Sequence, residues 1–318
     1  MHRHIPPDPM RTITHSFLSF ASLFAAGLCV AQERDGQFRA TEVAADAKWF
    51  AHVDLTALRD SAIGKELLAQ IDGEAQRKIK AFKRMISFNP IEDLDAVTVF
   101  GAGAEPDKAV ALVRGVFDVE HLTDLAMAAD GYKGAAHRGK TVHSWTDAKS
   151  PGGRLYGCMV STKIMVLGPD EDLVHAAIAL AEGSGTSLED GGTFALPDGG
   201  EGRPIVAAAA DLAGLGGLDI ESAFARRVRS VYLAAGETDG KVFARAVVGT
   251  EDERAPKLLG KMLHGVLAFA EATEGVPVGT SDAVGVTTEG ERLEVEASMG
   301  VAAFMEMMQG LEDLKGKL

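Results

Sequence analysis

Eight residues offer the most literal chemistry in the chain. Gly134-Ala135-Ala136-His137-Arg138-Gly139-Lys140-Thr141 fits G-x-x-x-x-G-K-[ST] at every fixed position. A phosphate loop needs that spacing because its amides curl around phosphates, its Lys neutralises charge and its Thr holds magnesium. Such a loop leaves a buried strand and enters a helix whose N-terminus faces the phosphate. Here the preceding residues, Ala129-Asp130-Gly131-Tyr132-Lys133, do not make a buried strand. The following residues, Val142-His143-Ser144-Trp145, alternate and include β-formers. The segment therefore reads as a hairpin turn. The match at Gly134, Gly139, Lys140 and Thr141 is coincidental on this reading, and no cofactor is expected.

Histidines are the next candidates. If Ala135–His137 and Thr141–Trp145 pair across Arg138-Gly139-Lys140, the imidazoles of His137 and His143 could approach each other. Zinc requires further ligands in a fixed geometry. No HExxH motif or close His/Asp cluster supplies them, so the expectation is no metal site and two surface histidines on a hairpin. His52 and His121 are scattered elsewhere, and His175 and His264 fall on amphipathic helices and read as structural. Cys158 alternates with Tyr156 and Val160 on a strand, as a buried and inert thiol would. No G-x-S-x-G elbow occurs. Acidic residues are too abundant for any pair to be nominated as a glycosidase dyad without geometry. No catalytic residue follows from the sequence.

One basic run, Arg77, Lys78, Lys80, Lys83 and Arg84, falls in the last turns of a long helical pattern, where cations meet the helix dipole favourably. It reads as a solvated helix end, with a dock for an acidic partner or surface polymer as its functional alternative. Met305, Met307 and Met308 read as core packing in the last helix.

The address comes from the start of the chain. Arg11 precedes an uncharged run, Phe17–Ala31, which ends in Cys29-Val30-Ala31 before the polar Gln32-Glu33-Arg34-Asp35. A basic start, a short apolar stretch and a small terminal residue make a secretory signal peptide. The run is shorter than the roughly 18–20 residues that cross a bilayer, which disfavours a retained anchor. Met10 makes a better start than Met1. Leu28 before Cys29 departs from the lipoprotein pattern. The expected location is periplasmic or extracellular, with no stable membrane insertion after cleavage.

Residues 1–31 hold Arg3, Arg11 and Asp8, so 30 of the 32 basic and 45 of the 46 acidic side chains remain without them, a net charge of −15. That balance argues against nucleic-acid and anionic-lipid partners and for solubility. Only Cys158 remains, so no intrachain disulfide is expected and the core must hold the fold. Two Trp and three Tyr are few for a surface that stacks sugars.

The elements that would position these residues follow from periodicity. After a loose lead-in over 32–47, Trp49–Val53 reads as a strand. A helix capped by Asp54 or Thr56 then runs to about Ile86, with Ile63, Leu67, Ile71, Ala75, Ile79 and Phe82 on one face. A hairpin (Ala96–Phe100, Ala109–Phe117), a helix (Glu120–Ala129), four strands between Ala135 and Leu167, and a helix (Glu171–Glu182) complete a first repeat over 48–182. A Gly-rich linker spans 183–204. A second repeat over 205–318 shows a strand (Ile205–Ala210), a hairpin (Val231–Ala235, Val242–Val248), a helix (Ala255–Thr273), a hairpin (Ala283–Thr287, Leu293–Met299) and a helix (Val301–Leu314). In the last strand Leu293, Val295, Ala297 and Met299 point one way and Arg292, Glu294, Glu296 and Ser298 the other. The expected fold is α+β, with two related halves, each an antiparallel sheet covered on one face by helices, an internal duplication read from element order.

The phrases FAHVDL, GYKGAAHRGKTVHSW and MVLGPDEDLVHAAI carry a resemblance to a loosely defined group of exported bacterial proteins, duplicated and α+β, with no assigned activity. The resemblance implies a fold and an envelope location, and no reaction or site residues. The leading expectation is a non-enzymatic exported protein of the cell envelope that binds or scaffolds a protein or small molecule. The alternatives are a periplasmic carrier of a lipid or other apolar ligand, and a hydrolase whose site is assembled from distant residues.

Overall fold

Runs rich in β-branched and small apolar residues build strands that pair edge to edge, and here they make one large sheet. A computed structural model describes residues 35–315 except 72, 193, 195, 197–201, 216–226 and 272–282. The segment Phe17–Ala31, with the leader reading and the choice of start, lies outside the described residues.

The described strands are β1 (Trp49–Asp54), β2 (Leu94–Gly101), β3 (Ala109–Gly115), β4 (Lys133–His137), β5 (Lys140–Thr146), β6 (Arg154–Ser161), β7 (Ile164–Gly168), β8 (Pro204–Asp211), β9 (Val228–Thr238), β10 (Lys241–Thr250), β11 (Val284–Glu289) and β12 (Arg292–Gly300). All join one antiparallel sheet in the order β11-β12-β10-β9-β8-β1-β2-β3-β7-β6-β5-β4. The fold is α+β. Instead of two separate sheets, β1 pairs with β8, Phe50 opposite Ala209 and His52 opposite Ala207, and fuses both halves at the centre. Outward from this pair, β1-β2-β3-β7-β6 and β8-β9-β10-β12-β11 run in the same order, and β5 and β4 extend the first half.

The helices are α1 (Leu55–Asp60), α2 (Ala62–Ala69), α3 (Gly73–Ile86), α4 (Pro90–Asp93), α5 (Val119–Met127), α6 (Glu171–Ala181), α7 (Arg254–Glu271) and α8 (Val301–Lys315). The single long helix expected after Asp54 is broken. Asp54 caps α1 by accepting from the Ala57 amide at 2.8 Å, and Ser61 caps α2 by accepting from the Gly64 amide at 2.9 Å. Capping residues inside an apolar-periodic run restart the helix in a new direction, which periodicity alone does not show.

Side chains of one face, among them Phe50, Phe100, Leu112 and Val166, form the main core with Val174 and Ile178 of α6. Two loops close that core, contrary to expectation. Residues 35–47 are no loose lead-in. Val43 and Ala47 are fully buried, Phe38 stacks on Phe50 at 4.6 Å, and Glu42 forms a buried ion pair with Arg114, whose Nε donates at 3.0 Å. The stretch 183–204 is no free linker either. Leu188 and Phe194 are buried, and the Leu188 amide donates to the Val43 carbonyl at 2.8 Å. Apolar residues spaced among glycines are drawn onto the sheet, and each loop supplies the other's backbone partners. Helices α5 and α7 lie on the opposite face. There a Cβ added at Gly260 of α7 would touch Val286 at 3.5 Å and Leu293 at 3.7 Å. In α8, Met305 and Met307 are half-buried and Met308 is exposed, so the methionines are not all core.

Candidate functional site

The sequence-nominated residues separate in space. Arg138 and Gly139, both at positive φ (49° and 75°), make the two-residue turn between β4 and β5. That backbone twist suits a tight hairpin. Thr141 continues into strand, and no helix N-terminus follows it. Lys140 lies 3.3 Å from Glu182, to which the Arg138 Nε also donates at 2.9 Å, and these bonds hold the Glu182 carboxyl below its usual range.

The register also parts the two histidines. His137 pairs with Lys140 while Gly134 pairs with His143, so the imidazoles point to opposite faces of the sheet. His137 instead stacks on His175 of α6, ring centroids 3.8 Å apart and nearly parallel. His143 is not a surface residue. It is buried, and its Nδ1 lies 3.1 Å from the Tyr132 hydroxyl. Burial lowers its pKa, so the ring is neutral at pH 7.

His143 lines a cavity of about 380 Å³ between the sheet and α5. The floor comes from Trp145, Gly157, Met159 and Leu167 on β5, β6 and β7. The roof is the inner side of α5, with Leu122 and Ala126, set by the Asp118 cap that accepts from the His121 amide at 3.0 Å. Ile86 and Phe88 close one end, where Phe88 stacks on Phe117 at 5.3 Å. Gly157 lets the floor close up, since a Cβ there would come within 2.8 Å of the Leu167 Cδ2 and 3.2 Å of the Trp145 ring, and both would have to shift. The walls are almost wholly apolar, and the His143–Tyr132 pair is the polar corner. This is the composition of a small-molecule site, which typically exceeds about 300 Å³ and carries few polar groups. Cys158 stands behind the floor, 1 % exposed, and burial pushes its thiol up to about 11, so it is protonated and inert.

The site is not legible in the sequence because its walls come from separate segments, each of which reads as ordinary core. The one local signal was Gly157 amid a β-forming run, which marks a close approach.

No cluster of three or more His, Cys, Asp or Glu able to hold a metal occurs among the described residues. No described helix is long and apolar enough to cross a membrane. No family model matches the sequence, and no curated protein matches it significantly. Solved structures with a distant likeness to the chain include crystal form III of the treponemal protein TP0453, with a TM-score of 0.44 and 11% identity over 86% of this chain and 98% of that one. Crystal form I of the same protein gives 0.42 and 10% identity, over 86% and 96%.

Proposed function

We propose that the protein is an exported carrier that holds the tail of a lipid, or a ligand of similar apolarity, in the cavity beneath α5. The cavity carries this reading. It is apolar on nearly every side, and its polar corner is a neutral His143 bonded to Tyr132. A charged ligand would lose its hydration there with no counter-charge, whereas each buried methylene gains about 0.8 kcal/mol. Export is supported by the apolar segment Phe17–Ala31 behind Arg11. The hydrolase reading lacks a partner for His143, since the group bonded to it is a phenol and the adjacent thiol is protonated.

The test is organic extraction and mass spectrometry of the protein purified from its native host, together with displacement of a fluorescent apolar probe. A copurifying lipid is expected. Ala126→Trp, which fills the roof, is expected to lose it while keeping the wild-type circular dichroism spectrum. An empty protein that binds no probe would overturn the carrier reading, as would undiminished binding by Ala126→Trp. Recovery of an intracellular form with Phe17–Ala31 attached would overturn export.

A further inference from the structure

The charge of the molecule is unevenly placed. The chain carries −14, yet the fourteen residues of α3 hold Arg77, Lys78, Lys80, Lys83 and Arg84 against Glu74. Lys78 pairs with Glu74 at 2.8 Å and Lys83 with Glu92 at 3.1 Å. Arg77, Lys80 and Arg84 are exposed and meet no carboxylate among the described residues. Their spacing, i, i+3 and i+7, sets them on one face of the helix. The helix ends at the cavity, where Ile86 is a lining residue. At that end Met85 is 61% exposed. The His121 Nε2 lies 3.1 Å from the Met85 carbonyl and ties α5 to the end of α3.

We infer that α3 docks the protein on a membrane surface bearing anionic phospholipid headgroups. A row of cations with the exposed thioether of Met85 next to Arg84 suits a headgroup layer, where charge is attracted at the surface and an apolar chain enters the acyl boundary. An acidic protein surface would offer the cations partners but no acyl layer for Met85. The net negative charge of the rest of the molecule orients it, turning α3 toward the bilayer and the acidic bulk away. The inference rests on the carrier reading only for its purpose, since the docking face itself is defined by α3.

The experiment is flotation of the protein as isolated from its host with vesicles of phosphatidylcholine, with and without phosphatidylglycerol. Binding to the anionic vesicles and release by added salt are expected. The triple variant Arg77→Gln, Lys80→Gln, Arg84→Gln keeps good helix formers at exposed positions. It is expected to bind on the order of 100-fold more weakly, from about 1 kcal/mol per cation near an anionic surface. Ala126→Trp is expected to float like the wild type. If Ala126→Trp keeps both its lipid and its flotation, the carrier reading falls and the docking face stands. Equal flotation with neutral vesicles, undiminished binding by the triple variant, or tighter binding to polyglutamate than to anionic vesicles would each overturn the inference.

Discussion

His137 and His175, stacked ring on ring at 3.8 Å, show what residue-level reading of a sequence leaves out. They sit on different elements, and nothing local joins them. The His137 pKa is lowered by burial, then by His175 and Arg138. Burial also lowers His143 and, opposed by Asp54, His52, whose Nε2 donates to the Gly36 carbonyl at 3.0 Å. All three shifts have one sign. The unfolded chain, with histidines near 6.5, takes up protons before the native state does. Stability is therefore full above that pH, falls as pH drops through 6.5, and levels off below the lowered native values. Thermal melts across that window should show the fall, with a shallower slope in His137→Gln. A melting temperature unchanged through the window would contradict it. Cys158 gives a simpler expectation, and its burial was legible from alternation with Tyr156 and Val160. In a Cys29→Ser chain, a thiol reagent should label Cys158 only after denaturant is added.

Element-level structure was legible wherever one face is dry and the other wet. β12 alternates as expected, with Leu293 buried and Glu296 and Ser298 exposed. The helical reading failed between Asp54 and Ile86, where periodicity suggested one helix and three occur, the first break set by a cap. Ser61 is the decisive residue there. Its hydroxyl donates to the Leu58 carbonyl at 2.7 Å while accepting from the Gly64 amide. Gly64 has no room for a side chain, since a Cβ would lie 1.7 Å from the same carbonyl. Ser61→Ala should cost about 1 kcal/mol, the usual loss for an N-cap, in denaturant melts. Helix α7 supplies the contrast. Leu258, Met262 and Val266 face outward at 50%, 50% and 63% exposure, so they contribute little to the core. Met262→Gln should shift stability by no more than about 0.5 kcal/mol, whereas Leu293→Ala, beneath the same helix, should cost about 2–5 kcal/mol. Similar losses at both positions would show that the outward stripe is covered.

At the scale of the whole molecule, the sequence suggested two halves joined by a linker, because Gly183–Gly202 is rich in turn residues. The physical join lies elsewhere, in backbone pairing that no composition reveals. β1 is bonded to β2 on one side and β8 on the other, and β8 continues to β9, so the central ladder belongs to both halves at once. Buried polar contacts reinforce it. Asp54 at the end of β1 is fully buried and pairs with Arg203 just ahead of β8. The Arg203 side chain is 39% exposed and stays hydrated when its partner is removed, so the loss expected for Asp54→Ala is that of the α1 cap and one charge-assisted bond, about 1–3 kcal/mol. The continuous sheet has a consequence for cooperativity. Ala209→Pro puts a residue without an amide hydrogen into a central strand, where proline is not tolerated. If the sheet is one folding unit, the damage reaches both halves. Tryptophan fluorescence, which reports Trp49 and Trp145 of the first half, should then lose its transition at the same lowered temperature as far-UV circular dichroism, which reports both. Amide exchange should accelerate in β2 and β9 alike. Two resolved transitions, with β2 still protected while β9 exchanges, would mean that each half carries its own stability and that the β1–β8 ladder is only a contact between them.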